Sequence, residues 1–427
     1  MTVGQKGEIA MNDMSRNGSV SASRAPDHVP ADMVRDFEIY YPPGRQKDIF
    51  NFLQTIHEDR DIFYNLNADP IICPNGAWYV TSFKLTNEVL QYPQAFSSTG
   101  IVNYSHLVGE SWPMIPIELD PPDHTRIRLV VMPIFAPARM KMLTGRITQR
   151  AEELIQAFRG KGGCDFVTEF STVFPVRIFL ELLDLPFDRF DDFIAWGAGI
   201  INSYIPEERT EATRAARAYL REVITARRAD PGDDVISKII QATTADGARL
   251  TEDELIGLTF MLFIGGLDTV AATLGFTFRY LADHPEARQQ LRVRPELIPT
   301  AVEEFLRAFS VVVTKRRVAR DIDFHGAPMK AGDYVTCVTG AADTDPEEFG
   351  PAMKLDRPDN RHVAFGMGPH RCLGSHLARL ELKIAIEVFL RLLPDFEVAP
   401  GARITTHGAG GVYGYDTLPL RWAADPA

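Results

Sequence analysis

Cys372 stands in the run Phe365-Gly366-Met367-Gly368-Pro369-His370-Arg371-Cys372-Leu373-Gly374, two residues after a histidine and just before an apolar helical pattern. A thiolate there would be stabilised by unpaired amide N–H groups and by the positive end of the following helix. Gly366, Gly368 and Gly374 supply backbone freedom and a surface without side chains, so a flat group could lie close to the loop. Three chemistries are open to this cysteine. It can be a small buried hydrophobe, the commonest fate of an intracellular cysteine. It can join His362, His370 and His376 in a zinc site, although structural zinc usually takes paired short spacings and the chain offers no second pair. Or it can act alone as an axial thiolate, pushing electron density toward a molecule bound on the far side of a metal.

A second constellation is Gly265-Gly266-Leu267-Asp268-Thr269. It falls inside a long helical pattern that opens with the capping box Thr251-Glu252-Asp253-Glu254 and has no proline from Leu255 to Leu281. A helix of roughly thirty residues would be about 45 Å long and cross a whole domain. Two glycines in its middle cost about 1 kcal/mol each relative to alanine, and such violations mark functional or close-packed positions. In one reading the glycines admit a neighbouring helix and Thr269 bonds back to the Gly265 carbonyl. In the other they clear space beside a bound group. Asp268 and Thr269 then point into the gap, where a hydroxyl beside a carboxylate can relay protons. Glu304 and Arg307, three residues apart in Ala301-Val302-Glu303-Glu304-Phe305-Leu306-Arg307, share a helix face. Taken alone they are an ordinary solvent pair worth a few tenths of a kcal/mol.

The elements that must position these residues are mostly helical. Pro121-Pro122 opens a helix through His124, Arg126 and Arg128, and helical patterning then runs to about residue 310, broken at Lys161-Gly162-Gly163 and Asp230-Pro231-Gly232. Strands are predicted at Ile322–Phe324 and Tyr334–Val338, around Val412–Leu418, and in a hairpin over Ile71–Val80 with an Asn75-Gly76 turn. Residues 1–30, rich in Gly, Ser, Asn and Asp, read as a disordered tail. No repeat or linker divides residues 31–427, which are expected to form one mainly α domain with a small β-rich subdomain.

Of the 427 residues, 45% are hydrophobic and 24% charged, ordinary for a globular protein. The net charge of −12 argues against nucleic acid as a partner. Four scattered cysteines make no disulfide framework and suggest a reduced, cytoplasmic setting. No signal-peptide pattern is seen. The most apolar stretch, Leu255–Phe263, is shorter than the roughly 20 residues of a bilayer span, so no membrane segment is expected.

The cysteine segment matches Phe-Gly-x-Gly-x-His-x-Cys-x-Gly and resembles the haem-binding signature of the cytochrome P-450 family. Gly265–Thr269 resembles that family's oxygen-activation motif, and Glu304-x-x-Arg307 its helix pair that locks onto an arginine before the cysteine, best matched by Arg357. The resemblance covers about residues 31–427 and implies the cytochrome P-450 fold and a soluble bacterial type. It implies haem b ligated through Cys372, lying close to Gly265, Phe365, Gly366 and Gly374, with propionates held by His124, Arg128, Arg316 and His370. Thr269 and Asp268 would be the catalytic pair managing protons. The activity implied is insertion of one oxygen atom into a C–H bond. A haem protein that only senses or stores a ligand is the alternative, and it would have no need of that pair.

Gly265–Val270 and Pro394-Asp395-Phe396 with Pro400-Gly401-Ala402 look most like the bacterial camphor-hydroxylase subgroup. Trp112 falls where that subgroup offers a tyrosine hydroxyl to the substrate ketone, so an indole N–H would be the donor and camphor itself is in doubt. Trp112, Met114, Ile117, Met261, Ile264, Val312 and Val412 are the candidate pocket wall, suited to a small terpenoid or norisoprenoid such as an ionone. The chain carries no flavin, nicotinamide or iron–sulfur pattern of its own. Electrons would therefore come from NAD(P)H through a flavoprotein reductase and an acidic 2Fe–2S ferredoxin, docking at Arg371, Arg126 and Arg128 on a monomer.

Overall fold

A computed structural model describes residues 25–56, 60–203, 205–393, 395–408 and 411–423. The bulk of it is helical, and several helices begin or end on the signals their sequence carries. Pro206–Ala229 starts on a proline, carries Glu207 and Glu208 in its first turn and ends on Arg227 and Arg228, each charge complementing the helix dipole. Glu252–Gly265 opens with the expected capping box: the Glu254 amide donates to Thr251 Oγ1 at 3.2 Å, and the Thr251 amide to Glu254 Oε2 at 2.8 Å. The helix after Cys372, Ser375–Leu392, packs on Thr144–Arg159 and on Ile298–Ala308. Phe166, Phe170, Phe278, Phe389 and Phe396 interlock between these helices as the centre of the apolar core.

The strands are β1 (Val34–Arg35), β2 (Ile62–Asn65), β3 (Ala77–Val80), β4 (Phe96–Ser97), β5 (Gly163–Asp165), β6 (Val313–Val318), β7 (Ile322–Phe324), β8 (Ala327–Met329), β9 (Tyr334–Val338), β10 (Glu397–Val398), β11 (Thr406–His407), β12 (Gly414–Tyr415) and β13 (Pro419–Arg421). Six form one sheet in the order β1-β2-β3-β9-β6-β4, parallel at β1/β2 and β3/β9 and antiparallel elsewhere. Alternation along β6 sends Thr314 and Arg316 to the helical side, while Lys315 turns away to meet Asp69 at 3.3 Å.

Three expectations change. The Asn75-Gly76 turn exists, with Gly76 at φ +98°, but β3 pairs with Ile62–Asn65 rather than Ile71–Cys73. Asp69 Oδ1 accepts the Ile71 and Ile72 amides and holds that stretch as a turn. Residues 1–24 of the expected tail lie outside the described residues, but Val29 is buried against Met33 and Trp78 rather than free. Glu252–Asp283 is, by length and composition, apolar enough to cross a membrane, which the sequence reading had not anticipated. Most of it is buried inside the protein, where such apolarity serves a core helix.

Candidate active site

The expected single long helix is two. Glu252–Gly265 stops, Gly266-Leu267-Asp268 form a break, and Thr269–Asp283 resumes. The two glycines divide the readings between them. A Cβ on Gly266 would come within 2.2 Å of the Phe179 ring, so this glycine admits a neighbouring helix. A Cβ on Gly265 would meet only Met261 Cε at 3.4 Å, so this one leaves open space. The Thr269 hydroxyl has no hydrogen-bond partner among the described residues; it is Thr273 that bonds back, to the Thr269 carbonyl at 2.9 Å. Asp268 Oδ2 is 3.5 Å from Asn202 Nδ2.

The space in front of Gly265 is a cavity of about 320 Å³. Gly265, Thr269 and Cys372 all line it, together with Phe365, Gly366 and Gly374, and a Cβ on Gly374 would be 3.8 Å from Cys372 Sγ. Gly366 and Gly368 have φ of +66° and +68°, and a Cβ on Gly368 would sit 2.6 Å from the Leu90 carbonyl. The Cys372 amide donates to the Phe365 carbonyl at 2.8 Å, closing the loop. Burial within protein raises the thiol pKa, opposed by the Gly374 amide and by the guanidiniums of Arg128, Arg379 and Arg371.

Four nitrogen-bearing side chains, three of them on the cavity wall, have no hydrogen-bonded carboxylate among the described residues. Arg316 is 3% exposed, donates among the described residues only to Lys315 O at 2.7 Å and Thr314 Oγ1 at 3.3 Å, and reaches the cavity. His370 and Arg128 also line it, and Arg128 donates to the Arg371 carbonyl. His124 is off the wall, its ring 4.2 Å from that of His370. Both ring nitrogens of His124 and Nε2 of His370 are buried with no partner among the described residues. Burial first, then the neighbouring Arg128 and Arg316 charges, pulls His124 down to about 4; burial, Arg316, His124 and Arg128 pull His370 to about 3. Cationic and imidazole nitrogens that no carboxylate bonds are a fit for a flat cofactor carrying its own carboxylates.

Behind the loop, Glu304 is fully buried and gathers Arg307 (2.8 and 2.9 Å), Arg357 (2.7 and 3.1 Å), Asn360 Nδ2 (3.0 Å) and the Lys354 amide (2.8 Å). Burial alone would raise its pKa, but these donors overcome it and hold the carboxylate ionised. Glu303, one residue earlier, binds His362 at 3.1 Å and Arg379 of the Ser375–Leu392 helix at 2.6 Å. His362 is thereby engaged, and no cluster of three metal-ligating side chains occurs among the described residues.

The expected pocket wall is only partly there. Ile117, Met261 and Val312 line the cavity; Trp112, Met114, Ile264 and Val412 do not. Pro113 lies so close to Gly257 that a Cβ there would be 2.0 Å from its carbonyl oxygen. That pins the Trp112 segment about two helical turns from Gly265. Trp112 packs on Phe260, and its Nε1–H donates to Glu110 at 2.5 Å instead of standing free. Met114 is buried with its amide on Glu118, and Val412 is bridged to Val312 within the core. Arg126 pairs with Glu254, so of the three expected docking arginines only Arg371 is exposed. Sequence reading missed Glu381, a cavity-wall carboxyl without a hydrogen-bond partner among the described residues, whose pKa burial raises well above the usual carboxylate range. Its signal was a glutamate on the apolar stripe of Leu377 and Ile384.

A mainly helical body in which a glycine-bounded cysteine and an interrupted helix line one largely apolar cavity fits the haem-thiolate class of oxygenases. A family model described as cytochrome P-450 matches residues 199–294 and 294–406. A protein of Sinorhizobium fredii named a probable cytochrome P-450 127A1 is 36% identical over 421 residues, 97% of this chain and 100% of its own. Mycinamicin IV hydroxylase/epoxidase of Micromonospora griseorubida is 36% identical over 315 residues, 72% of this chain and 79% of its own. The crystal structure of CYP101J2 superposes with a TM-score of 0.82 at 33% identity, covering 94% of this chain and 100% of that one; CYP101C1 does so with the same score at 31%. The chain belongs to the cytochrome P-450 family and is a monooxygenase with a haem-thiolate cofactor. The CYP101 likeness carries the resemblance to the camphor subgroup.

Proposed function

We propose that this monooxygenase hydroxylates a small apolar molecule, a terpenoid or a norisoprenoid such as an ionone. Electrons would pass from NAD(P)H through a flavoprotein reductase and a 2Fe–2S ferredoxin. The observation that carries the reading is the cavity itself. Cys372 and Thr269 both line it, and Ile117, Phe179, Met261, Val270 and Val312 are among the apolar side chains of its wall. Because Cys372, Gly265, Arg128, Arg316 and His370 line the same cavity, part of its volume is the haem's place, and what it offers the substrate is an apolar wall. With the Trp112 indole committed to Glu110, the substrate is held by shape and desolvation rather than by that donor.

Cys372 Sγ would hold the iron, and His124, Arg128, Arg316 and His370 would hold the haem carboxylates. When bound, the haem supplies dioxygen activation, to which the thiolate contributes electron density that favours O–O cleavage. The protein does the rest. Asp268, at the helix break, takes protons from the solvent side and passes them to the Thr269 hydroxyl, which presents them to the cavity. The apolar wall excludes stray water, and the Glu304–Arg307–Arg357 cluster fixes the segment leading into the cysteine loop. For the ferredoxin, the surface offers Arg371, with Arg139 and Lys141 beside exposed Leu129, Met132 and Met142.

Two measurements test the reading. Thr269→Ala is expected to keep the substrate-induced spin shift while product per NAD(P)H falls at least about tenfold. A yield equal to the parent's would remove the proton pair from the account. Across a panel of terpenoids and norisoprenoids, at least one is expected to shift the spin state; none doing so would rule out the substrate class.

A further inference from the structure

Glu303, His362 and Arg379 form a second charge cluster, separate from the one at Glu304, and it closes a ring around the residues that lead into the cysteine loop. The Ala364 amide donates to His362 Nδ1 at 3.3 Å, which leaves Nε2 to carry the proton donated to Glu303 Oε2 at 3.1 Å. Glu303 in turn takes Arg379 as a fork, with Nε on Oε1 at 2.6 Å and Nη2 on Oε2 at 2.8 Å. The Arg379 guanidinium then lies 4.5 Å from the centre of the Phe365 ring. Phe365 follows Ala364, so the circuit ends beside the residue where it began.

Phe365 joins this ring to the site. It lines the cavity with Cys372, and its carbonyl accepts the Cys372 amide at 2.8 Å. Whatever holds its ring therefore also holds the carbonyl that closes the loop. The cluster draws on three parts of the chain: Arg379 from the Ser375–Leu392 helix, Glu303 from the Ile298–Ala308 helix, and His362 from the segment before the loop. The His362 side chain is 3% exposed, whereas Arg379 and Glu303 are 25% and 28% exposed, so the pair spans the edge of the protein above a buried imidazole.

We propose that Arg379 is a positioning residue for the thiolate: forked to Glu303 and stacked on Phe365, it fixes the carbonyl that receives the Cys372 amide and keeps a positive charge on the sulfur side of the cavity. This rests on reading Cys372 as the axial ligand of the haem. A planar guanidinium can meet a carboxylate with its edge and an aromatic ring with its face at once, which an ammonium cannot do. The charge acts at the sulfur together with Arg128 and Arg371, opposing the effect of burial on the Cys372 thiol. One-electron reduction makes the site more negative, and a cation held nearby in a partly buried place stabilises that state.

The test uses the holoenzyme and reads two quantities, the ferrous-to-ferric ratio at a fixed solution potential and the reduced carbon monoxide spectrum. Arg379→Met keeps the length of the side chain and loses both charge and fork. It should lower the ratio about tenfold, which is about 59 mV for one electron, and convert part of the long-wavelength band to a shorter-wavelength one. Arg379→Lys and Glu303→Gln keep the cation and lose the fork. They should hold the ratio within about threefold of the parent's, while their band converts on mild warming that leaves the parent's intact. A purely structural role would lower the thermal midpoint of all three and move neither readout. Arg379→Met with the parent's ratio and spectrum overturns the proposal. Parent-like bands in both Arg379→Lys and Glu303→Gln overturn it even if the methionine variant cannot be recovered with haem. Cys372→Ala separates this failure from that of the site reading. If it keeps the long-wavelength band, the ligand lies elsewhere and the site reading falls; if it loses the band while Arg379→Met matches the parent, only this proposal falls.

Discussion

Gly266 and Phe179 touch so closely that the ring occupies the place a Cβ would take, at 2.2 Å. Its neighbour Gly265 faces the cavity and would meet only Met261 at 3.4 Å. Alanine at the two positions should therefore act in opposite ways. Gly266→Ala is expected to cost about 1–3 kcal/mol of stability through overpacking. Gly265→Ala should leave stability unchanged or slightly improved, since helix propensity gains. Its effect should be on haem occupancy, because the methyl group enters the cavity. Thermal unfolding with haem quantification checks both, and equal losses of stability would show that the glycines do one job.

Glu304 is the hub of a largely buried charge cluster, so its removal leaves Arg307 and Arg357 without a carboxylate partner. Glu304→Ala is expected to destabilise by about 3–5 kcal/mol, well above a surface pair. A loss below about 1 kcal/mol in urea unfolding would mean the cluster is solvated after all.

Asp343 supplies a pH dependence. Burial raises its pKa to about 7, and although its Oδ1 accepts the Val363 amide at 2.7 Å, Oδ2 has no partner among the described residues. The folded state thus binds this proton more tightly than the unfolded chain, where the value is about 3.9. Its contribution is fully present below about pH 4 and is lost as pH rises through 7. Asp343→Asn keeps an oxygen for Val363 and cannot ionise. The variant should gain on the parent by a few kcal/mol between pH 5 and 8. A stability gap that stays constant with pH contradicts the assignment.

Trp112 gives the sharpest test of the pocket. Because its indole serves Glu110, which also holds Arg217 and Arg221, Trp112→Phe should change substrate affinity by no more than about threefold while loosening that contact. Ile117→Phe or Val312→Phe should weaken binding about tenfold or more by filling the cavity. Spin-shift titration decides, and the reverse ranking would put Trp112 back in the wall.

What the sequence disclosed was local chemistry. The Thr251–Glu254 box, the Cys372 loop with its glycines and the Glu304–Arg307 spacing are all written within a few residues. Arg357 came only from the family pattern, because its partner is distant in sequence and no local rule links them. The split between Gly265 and Gly266 depends on where Phe179 packs, and the position of Trp112 on the Pro113–Gly257 contact. Glu381 was overlooked for the same reason: burial gives it its character, and burial is a property of the assembled fold.

The central claim is that Cys372 holds the iron. Cys372→Ala, purified with haem added, should fold with a thermal midpoint near the parent's, because the thiol faces the cavity rather than the core. Its reduced carbon monoxide complex should lack the long-wavelength band that thiolate ligation produces. A variant that retains that band at full intensity would place the axial ligand elsewhere and contradict the account.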